Sequence, residues 1–400
     1  MPHSLAQSVE ILTTVLTLAG IGYFLAALVA AQFFLSARRR PLAAFTSGVS
    51  ILKSLKGIDP GMIDAFRSHY RQTYAGDFEL LFGVTSLDDP AVAAVMSLQT
   101  EFPGGTIRLF ECPLQLGTNG KVSTLAQLVT HARYDFLLIN DSDITVEAHY
   151  LERIMAGFAP APRSAGKAKK PIGMVTALYR GRALETLPSR LEALGIATDF
   201  QAGVLLSRMI EGGLSYGLGS TLAISREALD KIGGLELLVN HLADDYELGL
   251  RVARAGYRVG LSPEVVETAI PAYGWNGFID HQLRWARTVR DARPWGYAGL
   301  IFTHGLGWAL LNVIASGLSP LSLWLLGLSF FLRLALAMKV GAEVLADHQV
   351  LPNLWLLPLR DLLAMGLWAT GLAGNTIVWR GERFTLKNGK LQKANEPQAS

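Results

Sequence analysis

The sequence predicts an α/β domain with a mostly parallel sheet, placed between apolar segments that are long enough to cross a membrane. Hydrophobic residues make up 50% of the 400 residues, and a mean hydropathy of +0.30 is high for an ordinary soluble enzyme. From Val49 onward, short apolar runs alternate with segments of helical length, as in β-α-β units. One of these runs ends directly in two closely spaced aspartates, Asp141 and Asp143.

The first apolar segment, residues 11–35, contains no charged residue and exceeds the roughly 20 residues that a membrane-spanning helix needs. Arg38, Arg39 and Arg40 follow it, and the positive-inside rule places such a cluster in the cytoplasm. A cleaved signal peptide is the alternative, but its apolar region is shorter, about 7–15 residues, and its basic residues come first. We therefore predict a transmembrane anchor over residues 9–36.

The segment after the anchor predicts parallel strands joined by helices. Helix-start signals such as Asp59-Pro60 and Asp89-Pro90 separate the apolar runs, and residues 53–57 are expected to form the loop after the first strand. No run precedes a glycine fingerprint of the dinucleotide-binding or P-loop type, so a nucleotide must be held in another way. The predicted strands cover residues 49–52, 78–84, 107–110, 136–139, 172–178, 221–225 and 260–266.

Asp141 and Asp143 follow the fourth predicted strand, at the edge where open α/β sheets bind their ligands. Two carboxylates one residue apart present hard oxygen ligands, which suit Mg²⁺ or Mn²⁺. Such ions commonly take further ligands from substrate phosphates and water. The structural alternative is an Asx turn that closes the strand. With the other features of the chain, the pattern predicts a divalent cation here.

The second half of the chain contains a further acidic group and a basic segment. Asp244, Asp245 and Glu247 fall at the start of a predicted helix, where acidic residues also stabilise the helix dipole. Residues 278–290 carry several arginines, but no interleaved aromatic and basic patch of the kind that binds single-stranded nucleic acid is present. We therefore expect no nucleic-acid partner. Cys112, the single cysteine, excludes an intrachain disulfide and fits a core thiol.

Three apolar segments follow, at residues 300–317, 318–338 and 354–378. Arg360 and Asp361 interrupt the third, which leaves 362–378 as its spanning part. The basic residues of the tail, 380–400, favour a cytoplasmic C-terminus and therefore an even number of crossings after the soluble domain. One of the three segments is thus expected to be interfacial or re-entrant.

Seven short stretches of the chain form an ordered set of motifs. They are Val49-Ser-Ile-Leu-Lys53 with Lys56-Gly57, Asp88-Asp-Pro90, Asn119-Gly-Lys121, Asp141-Ser-Asp143, Gly233-Gly234, Ala243-Asp-Asp-Tyr246 and Arg284-Trp285. In this order they resemble the ceramide glucosyltransferase family, glycosyltransferase family 21. The resemblance covers most of the chain. It implies a nucleotide-diphospho-sugar transferase fold, called GT-A, between an N-terminal anchor and C-terminal membrane helices.

The resemblance also implies a role for each matching residue. Asp141 and Asp143 would hold a divalent cation, Mg²⁺ or Mn²⁺, at the diphosphate of a UDP-sugar. Asp245 would be the general base that takes the proton of the acceptor hydroxyl, in an inverting transfer. Arg284 would pair with the diphosphate, and Trp285 would pack beside the acceptor or the sugar. Further substrate-binding positions are Lys53, Asp88, Lys121, Asp141, Asp244 and His281.

Structural roles stand beside these assignments, and the chain departs from the family pattern at three positions. A helix cap for Asp244 or Asp245 and a surface ion pair for Arg284 are the alternatives. Ser86 occupies the place of the aspartate near the uracil, so either Asp88 takes that role or weaker contacts hold the base. For Lys121 the structural alternative is a solvated position at the start of a helix. The other two departures are His281, in place of the first residue of (Q/R)xxRW, and Thr124, in place of an asparagine.

Four stretches resemble the bacterial branch of this family that is associated with hopanoid biosynthesis. They are Gly117-Thr-Asn-Gly-Lys121, Asn140-Asp-Ser-Asp-Ile-Thr145, Leu178-Tyr-Arg-Gly181 and the nine residues from Asp280 to Thr288. The branch implies transfer of N-acetylglucosamine from UDP-GlcNAc to a hopanoid such as bacteriohopanetetrol. The first alternative is a UDP-glucose-dependent ceramide or diacylglycerol glucosyltransferase. The second is a membrane protein that binds sugar nucleotides without catalysis.

These inferences define the expected organisation and partners. A cytoplasmic GT-A domain is expected over residues 45–296, a C-terminal membrane region of two or three helices over 297–379, and a basic tail over 380–400. The expected partners are a UDP-sugar donor, a lipid acceptor and the bilayer itself. The resemblance to a bacterial branch implies a multi-pass protein of the inner membrane, with its catalytic domain facing the cytoplasm.

Overall fold

The structure, a computed structural model, describes residues 2–160, 170–379 and 382–393. Most of residues 159–171, for which the sequence predicts an exposed loop, and parts of the expected tail therefore lie outside the described residues. A seven-stranded sheet forms the centre of the molecule. Its strands are β1 (Val49–Ser54), β2 (Phe78–Val84), β3 (Ile107–Glu111), β4 (Phe136–Ile139), β5 (Ile172–Ala183), β6 (Leu222–Ser225) and β7 (Arg258–Ile270).

The spatial order of the strands is β3-β2-β1-β4-β6-β5-β7. Parallel pairs join β1 to β2 and β4, β2 to β3, and β5 to β7, whereas β6 runs antiparallel to both of its neighbours. The prediction of a mostly parallel sheet is therefore confirmed. From β1 the chain first builds outward through β2 and β3 and then returns to place β4 on the other side. The carboxyl ends of β1 and β4 thus meet at a switch point, where open sheets bind their ligands.

Helices cover both faces of the sheet and enclose two hydrophobic cores. On β2, Leu81 belongs to one core while Leu80 and Phe82 belong to the other, as the alternation of a strand requires. After the N-terminal apolar helix α1 (Pro2–Arg38), the helices of the domain are α2 (Met62–Tyr70), α3 (Ala91–Glu101), α4 (Gly120–Leu128), α5 (Tyr150–Met155), α6 (Leu187–Gly195), α7 (Gln201–Ile210), α8 (Arg226–Lys231), α9 (Asp244–Arg254) and α10 (Trp275–Ala292).

Two local features of the fold matter for the site, and the first corrects a prediction. β1 continues to Ser54, so Lys53 lies on a strand and is 1% exposed, although residues 53–57 were expected to form a loop. Strand pairing with β2 reaches Ser54 and accounts for the difference. A π-helical turn, Ile196–Phe200, separates α6 from α7.

The apolar C-terminal part forms helices α11 (Pro294–Gly299), α12 (Gly305–Ala315), α13 (Pro320–Ala337) and α14 (Leu357–Gly371). Within the described part of the chain, Leu5–Arg38 and Pro320–Val344 are long and apolar enough to span a membrane. A pair bent by 57°, Pro294–Thr303 with Gly305–Ala315, adds a third if it counts as one span. The span predicted over 362–378 is wrong, because α14 ends at Gly371 and a strand begins at Thr376.

The end of the chain folds into a small antiparallel sheet of β8 (Thr376–Trp379), β9 (Glu382–Lys387) and β10 (Lys390–Lys393). Asn388 and Gly389, both with positive φ, form the tight turn between β9 and β10. Ile377, Phe384, Leu386 and Leu391 pack with Leu242 of the domain. The predicted basic tail is therefore a folded part of the protein over its described residues, 382–393.

Candidate active site

The buried side chain of Asn140 fixes the loop after β4, which carries Asp141 and Asp143. The side-chain nitrogen of Asn140 donates to Ser220 O at 2.6 Å and to the Tyr150 hydroxyl at 3.0 Å. Its oxygen lies 3.2 Å from His69 Nε2. A buried amide with these partners holds the loop in one conformation.

Asp141 and Asp143 face different surroundings. The Asp141 side chain is 43% exposed. Asp143 instead turns toward β7, where its Oδ2 accepts from Thr268 Oγ1 at 2.5 Å and from Ala269 N at 3.2 Å. Burial, together with the negative charge of Asp141, raises the pKa of Asp143. A nearby cation would stabilise the ionised form of a carboxylate that lies beside a second one.

Lys53 supports the same loop from within the sheet. Its Nζ donates to the backbone oxygen of Asp141 at 2.9 Å. Burial lowers the pKa of Lys53 to about 7, against the opposing influence of Asp143 and Asp141. As a fully buried side chain under the loop, Lys53 can position Asp141 and contributes a positive potential to the site.

Lys121 joins the two acidic groups that the sequence singled out. Its Nζ lies 2.6 Å from Asp141 Oδ1 and 3.6 Å from Asp244 Oδ2. Burial opposes the charge of Lys121, but the attraction of Asp141 and Asp244 outweighs it and raises the pKa. Lys121 stands in the first turn of α4, where Asn119 caps the helix by accepting from Val122 N at 3.2 Å.

Asp245 follows Asp244 in the first turn of α9. Its Oδ1 accepts from the backbone nitrogen of Tyr246 at 2.7 Å. Gly219 leaves room for the other oxygen, since a Cβ there would lie 3.1 Å from Asp245 Oδ2. Burial and the adjacent charge of Asp244 raise the pKa of Asp245 to about 6, while Lys121 acts in the opposite direction. A carboxylate with such a pKa is suited to accept a proton near neutral pH.

Helix α10 carries His281, Arg284 and Trp285. His281 Nδ1 lies 3.0 Å from Oε2 of Glu192, a residue on α6 that is 1% exposed. Tyr273 and Gln282 donate to the same oxygen. Burial raises the pKa of Glu192, but these hydrogen bonds together outweigh it and hold the pKa below its usual value.

The aromatic ring of Trp285 extends this group toward the π-helical turn. Its centroid lies 4.9 Å from that of His281 and 6.4 Å from that of Phe200. Trp285 also packs against the small cluster of Ala193, Ile196 and Ile270. Arg284 is half-buried on the same helix. In the HxxRW motif, His281 thus contacts the buried carboxylate of Glu192, and Trp285 packs beside the π-helical turn.

The loop after β2 holds the predicted uracil-side residues. Asp88 is exposed, and its backbone nitrogen donates to Ser86 Oγ at 3.2 Å. The neighbouring Asp89 has a structural role, because its carboxylate accepts from Gly57 N and Ala91 N, both at 2.9 Å. Asp89 therefore joins the start of α3 to the loop after β1.

The donor set is compatible with a divalent cation held by Asp141 and Asp143. Both residues offer hard oxygen ligands, and the Lys121 ammonium group already lies where positive charge is stabilised next to Asp141. Among the described residues, no three His, Cys, Asp or Glu side chains converge as a complete ligand set. A cation here would therefore depend on a bound diphosphate and water for further ligands, as Mg²⁺ commonly does.

Several residues of the site have no local sequence signal. Glu192 lies far from His281 in the sequence, and only the packing of α6 against α10 brings them together. The C-terminal sheet also reaches the site, because Leu391 N donates to Asn240 O at 2.8 Å and Thr118 Oγ1 donates to Leu391 O at 3.2 Å. It joins the loop before α4 to the loop before α9. An Asn-Gly pair between alternating residues was the signal that could have revealed this sheet.

The seven-stranded sheet, with an acidic loop at its switch point, gives the domain a GT-A-like glycosyltransferase fold. A family model described as Glycosyl transferase family 21 matches residues 12–392, so the chain belongs to that family.

Individual relatives agree with the family assignment. The chain is 25% identical to ceramide glucosyltransferase 3 of Caenorhabditis elegans over 353 residues, which are 85% of this chain and 72% of the relative. Ceramide glucosyltransferase 1 of the same organism is 22% identical over 366 residues, or 88% and 74%. The ceramide glucosyltransferase of Komagataella phaffii is 32% identical over 126 residues, or 30% and 25%.

A solved structure supports the fold. A mannosyltransferase from Pyrobaculum calidifontis, determined in complex with GDP-mannose and Mn²⁺, has a TM-score of 0.53 at 18% identity. The similarity covers 91% of this chain and 99% of that one. At this identity the likeness establishes the fold alone.

Proposed function

We propose that this protein transfers a sugar from a UDP-sugar to a hydroxyl group of a membrane lipid, with inversion at the anomeric carbon. The observation that carries this proposal is the group formed by Asp141, Lys121, Asp244 and Asp245 at the carboxyl ends of the central strands. It combines a place for the charged diphosphate with a carboxylate whose pKa, about 6, suits a general base.

In the proposed reaction, Asp245 removes the proton from the acceptor hydroxyl as its oxygen attacks the anomeric carbon. The new bond forms between that oxygen and the sugar, while the bond from the sugar to the diphosphate breaks and UDP leaves. Lys121 and Arg284 stabilise the negative charge that develops on the diphosphate. Asp141 and Asp143 would hold a divalent cation, Mg²⁺ or Mn²⁺, which would supply further neutralisation of that charge.

The other predicted residues have supporting roles in this proposal. Asp244 orients Lys121, and Lys53 positions the Asp141 loop from below. Trp285 packs beside the acceptor, while His281 is oriented through its contact with buried Glu192. Asp88, which is exposed on the loop after β2, is the candidate for contact with the uracil.

For the substrates, we propose UDP-glucose and a ceramide-type lipid. Three curated relatives are ceramide glucosyltransferases, and two of them align over most of the chain. Transfer of N-acetylglucosamine to a hopanoid, the first expectation from the sequence, rests only on four short stretches and has no support from these relatives. Anchoring by α1 and α13 with the catalytic domain on the cytoplasmic side of a bacterial inner membrane completes the proposal.

The test is UDP release by purified, detergent-solubilised protein with Mg²⁺ or Mn²⁺. UDP-glucose and UDP-GlcNAc are each offered with ceramide, diacylglycerol and bacteriohopanetetrol. We expect turnover with UDP-glucose and ceramide, at least 100-fold lower in Asp245→Asn. Asp64→Asn is the matched control, since Asp64 is a 76% exposed aspartate on α2. Turnover with the hopanoid alone would show that a hopanoid, and not ceramide, is the acceptor. UDP release in none of the combinations would favour a non-catalytic binding protein.

A further inference from the structure

A second group of charged residues lies between the domain and the membrane helices. Arg333 on α13 is 2% exposed and donates from Nε to Asp361 Oδ2 at 2.9 Å and from Nη2 to Asp361 Oδ1 at 2.8 Å. Its Nη2 also reaches Thr198 Oγ1 at 3.0 Å and Asp199 Oδ1 at 2.5 Å, both on the π-helical turn. Arg333 is thus fully engaged and joins α13, α14 and the turn.

Arg360, one residue before Asp361, is in a different situation. It is 8% exposed, and its Nη2 lies 3.6 Å from Asp199 Oδ2. Its Nε and Nη1 are buried without a hydrogen-bond partner within the described part of the chain, and the same holds for Asp199 Oδ2 and His304 Nε2. Because buried polar atoms are nearly always paired, this concentration of unpaired donors and acceptors needs an explanation.

The backbone makes room for the Arg360 guanidinium group. A Cβ at Gly195 would lie 2.2 Å from Arg360 Nε and 2.3 Å from Nη2, so no side chain fits at this position without moving the arginine. Gly195 immediately precedes the π-helical turn. Such turns are rare and are often found at functional sites.

The group opens toward the proposed acceptor side of the active site. The Asp199 side chain is 33% exposed, and Phe200 beside it is 37% exposed. The Phe200 ring lies 6.4 Å from that of Trp285 and 5.7 Å from that of Tyr179. A lipid whose hydroxyl reached Asp245 past Trp285 would therefore bring its polar region close to Asp199.

We infer that Asp199 and Arg360 form a binding site for the uncharged hydrogen-bonding region of the acceptor lipid. This inference rests on the proposed function and names a subsite of it. Arg360 donates from Nη1 to a carbonyl or hydroxyl oxygen of the lipid, and Asp199 Oδ2 accepts from an N–H or O–H group.

Charge balance decides against an anionic lipid. Arg333 and Arg360 stand against Asp199 and Asp361, so the group is already neutral. A phosphate would add uncompensated charge in a buried place, which is costly. A lipid with an amide and a hydroxyl group instead supplies both an acceptor and a donor. Arg333 lies on the candidate membrane span Pro320–Val344, and ionisable residues in such spans generally mark function.

The experiment measures binding of a fluorescent short-chain ceramide to the full-length protein in detergent, without UDP-sugar, together with KM for each substrate. Arg360→Gln is expected to weaken ceramide binding at least tenfold and to raise the KM for ceramide similarly. The KM for UDP-glucose is expected to stay within twofold. Gly195→Ala is expected to have the same effect, because it displaces Arg360 without changing a polar group.

Arg208→Gln is the matched control, since Arg208 is a half-buried arginine on α7 that lies over the Phe34 ring of α1. If Arg360→Gln does not fold, Gly195→Ala and Asp199→Asn give the same readout. Unchanged ceramide binding in the folded variants would overturn the inference and leave the group as a purely structural contact. Ceramide binding by the wild type that depends on Arg360, but without UDP release, would support the subsite while the proposed reaction fails.

Discussion

Two groups of charged residues in this protein differ in their balance of positive and negative charge. At the active site, Asp141, Asp143, Asp244 and Asp245 outnumber Lys121, whose Nζ pairs with Asp141 and lies 3.6 Å from Asp244 Oδ2. Negative charge is therefore in excess, and burial raises the pKa of Asp143, Asp244 and Asp245. At the membrane side, two arginines stand against two aspartates in close contact. The first group is stabilised by an incoming cation, whereas the second is already neutral, and its Arg333–Asp361 pair stabilises the fold.

This difference predicts that substitutions in the first group lower activity more than stability, and that substitutions of Arg333 or Asp361 in the second lower stability more than activity. Like charges held together cost stability, and functional sites commonly keep such a cost. The presence of a buried or half-buried charged residue is therefore not informative by itself. Its partners decide which of the two behaviours it shows.

The largest expected effect is that of Asp245→Asn. Loss of the proposed general base should lower kcat by about 10³-fold, within the range of general-base catalysis. The melting temperature should stay the same or rise, because one of two adjacent buried carboxylates loses its charge. Steady-state UDP release and thermal melting in detergent measure both quantities. A drop in melting temperature with unchanged kcat would contradict the distinction between the two groups.

Arg333→Met tests the opposite behaviour. Removal of the arginine leaves Asp361 and Asp199 without their main partner, which should lower the free energy of unfolding by about 3–5 kcal/mol. The double variant Arg333→Met with Asp361→Leu should recover much of this loss, since it removes both buried charges. Thermal melting of the purified variants is the measurement. If the single and the double variant melt at the same temperature, the unpaired Asp361 charge is not the cause of the lost stability.

Asp143→Asn should lower turnover roughly 100-fold, since a bound cation commonly contributes several kcal/mol to the stabilisation of developing charge. The hydrogen bonds from Thr268 and Ala269 can still be accepted by the amide oxygen, so the fold should persist. Titration of activity with Mn²⁺ should show a higher concentration for half-activation. An unchanged metal titration would place the cation elsewhere or exclude one.

The smallest effect expected here is on pH dependence. Asp245 must be ionised to accept a proton, and its pKa is raised to about 6. The rate should therefore fall about tenfold per unit as the pH drops below 6 and level off above it. Because the charge of Asp244 raises the pKa of Asp245, Asp244→Asn should move the inflection to lower pH. A profile with the same inflection in both proteins would mean that another group titrates.

The sequence predicted the parts of the site that depend on local signals. Apolar runs followed by Asp141 and the acidic helix start at Asp245 are short-range patterns, and the motif order supplied the family. The fold class was confirmed. The pairing of Arg333 with Asp361 was not predicted, because it depends on how α13 and α14 pack and neither residue has a local pattern. For the same reason Glu192 was missed, and Lys53 was expected in a loop although strand pairing continues past it.

The most direct test of the proposed mechanism is the anomeric configuration of the product. UDP-glucose carries its sugar in the α configuration, so direct attack assisted by Asp245 predicts a β-linked glucosyl lipid. Proton NMR of the product from UDP-glucose and ceramide distinguishes the two linkages by the coupling of the anomeric proton. A β-linked product that disappears in Asp245→Asn is the predicted result. An α-linked product would contradict a single inverting displacement and would remove Asp245 from its proposed role.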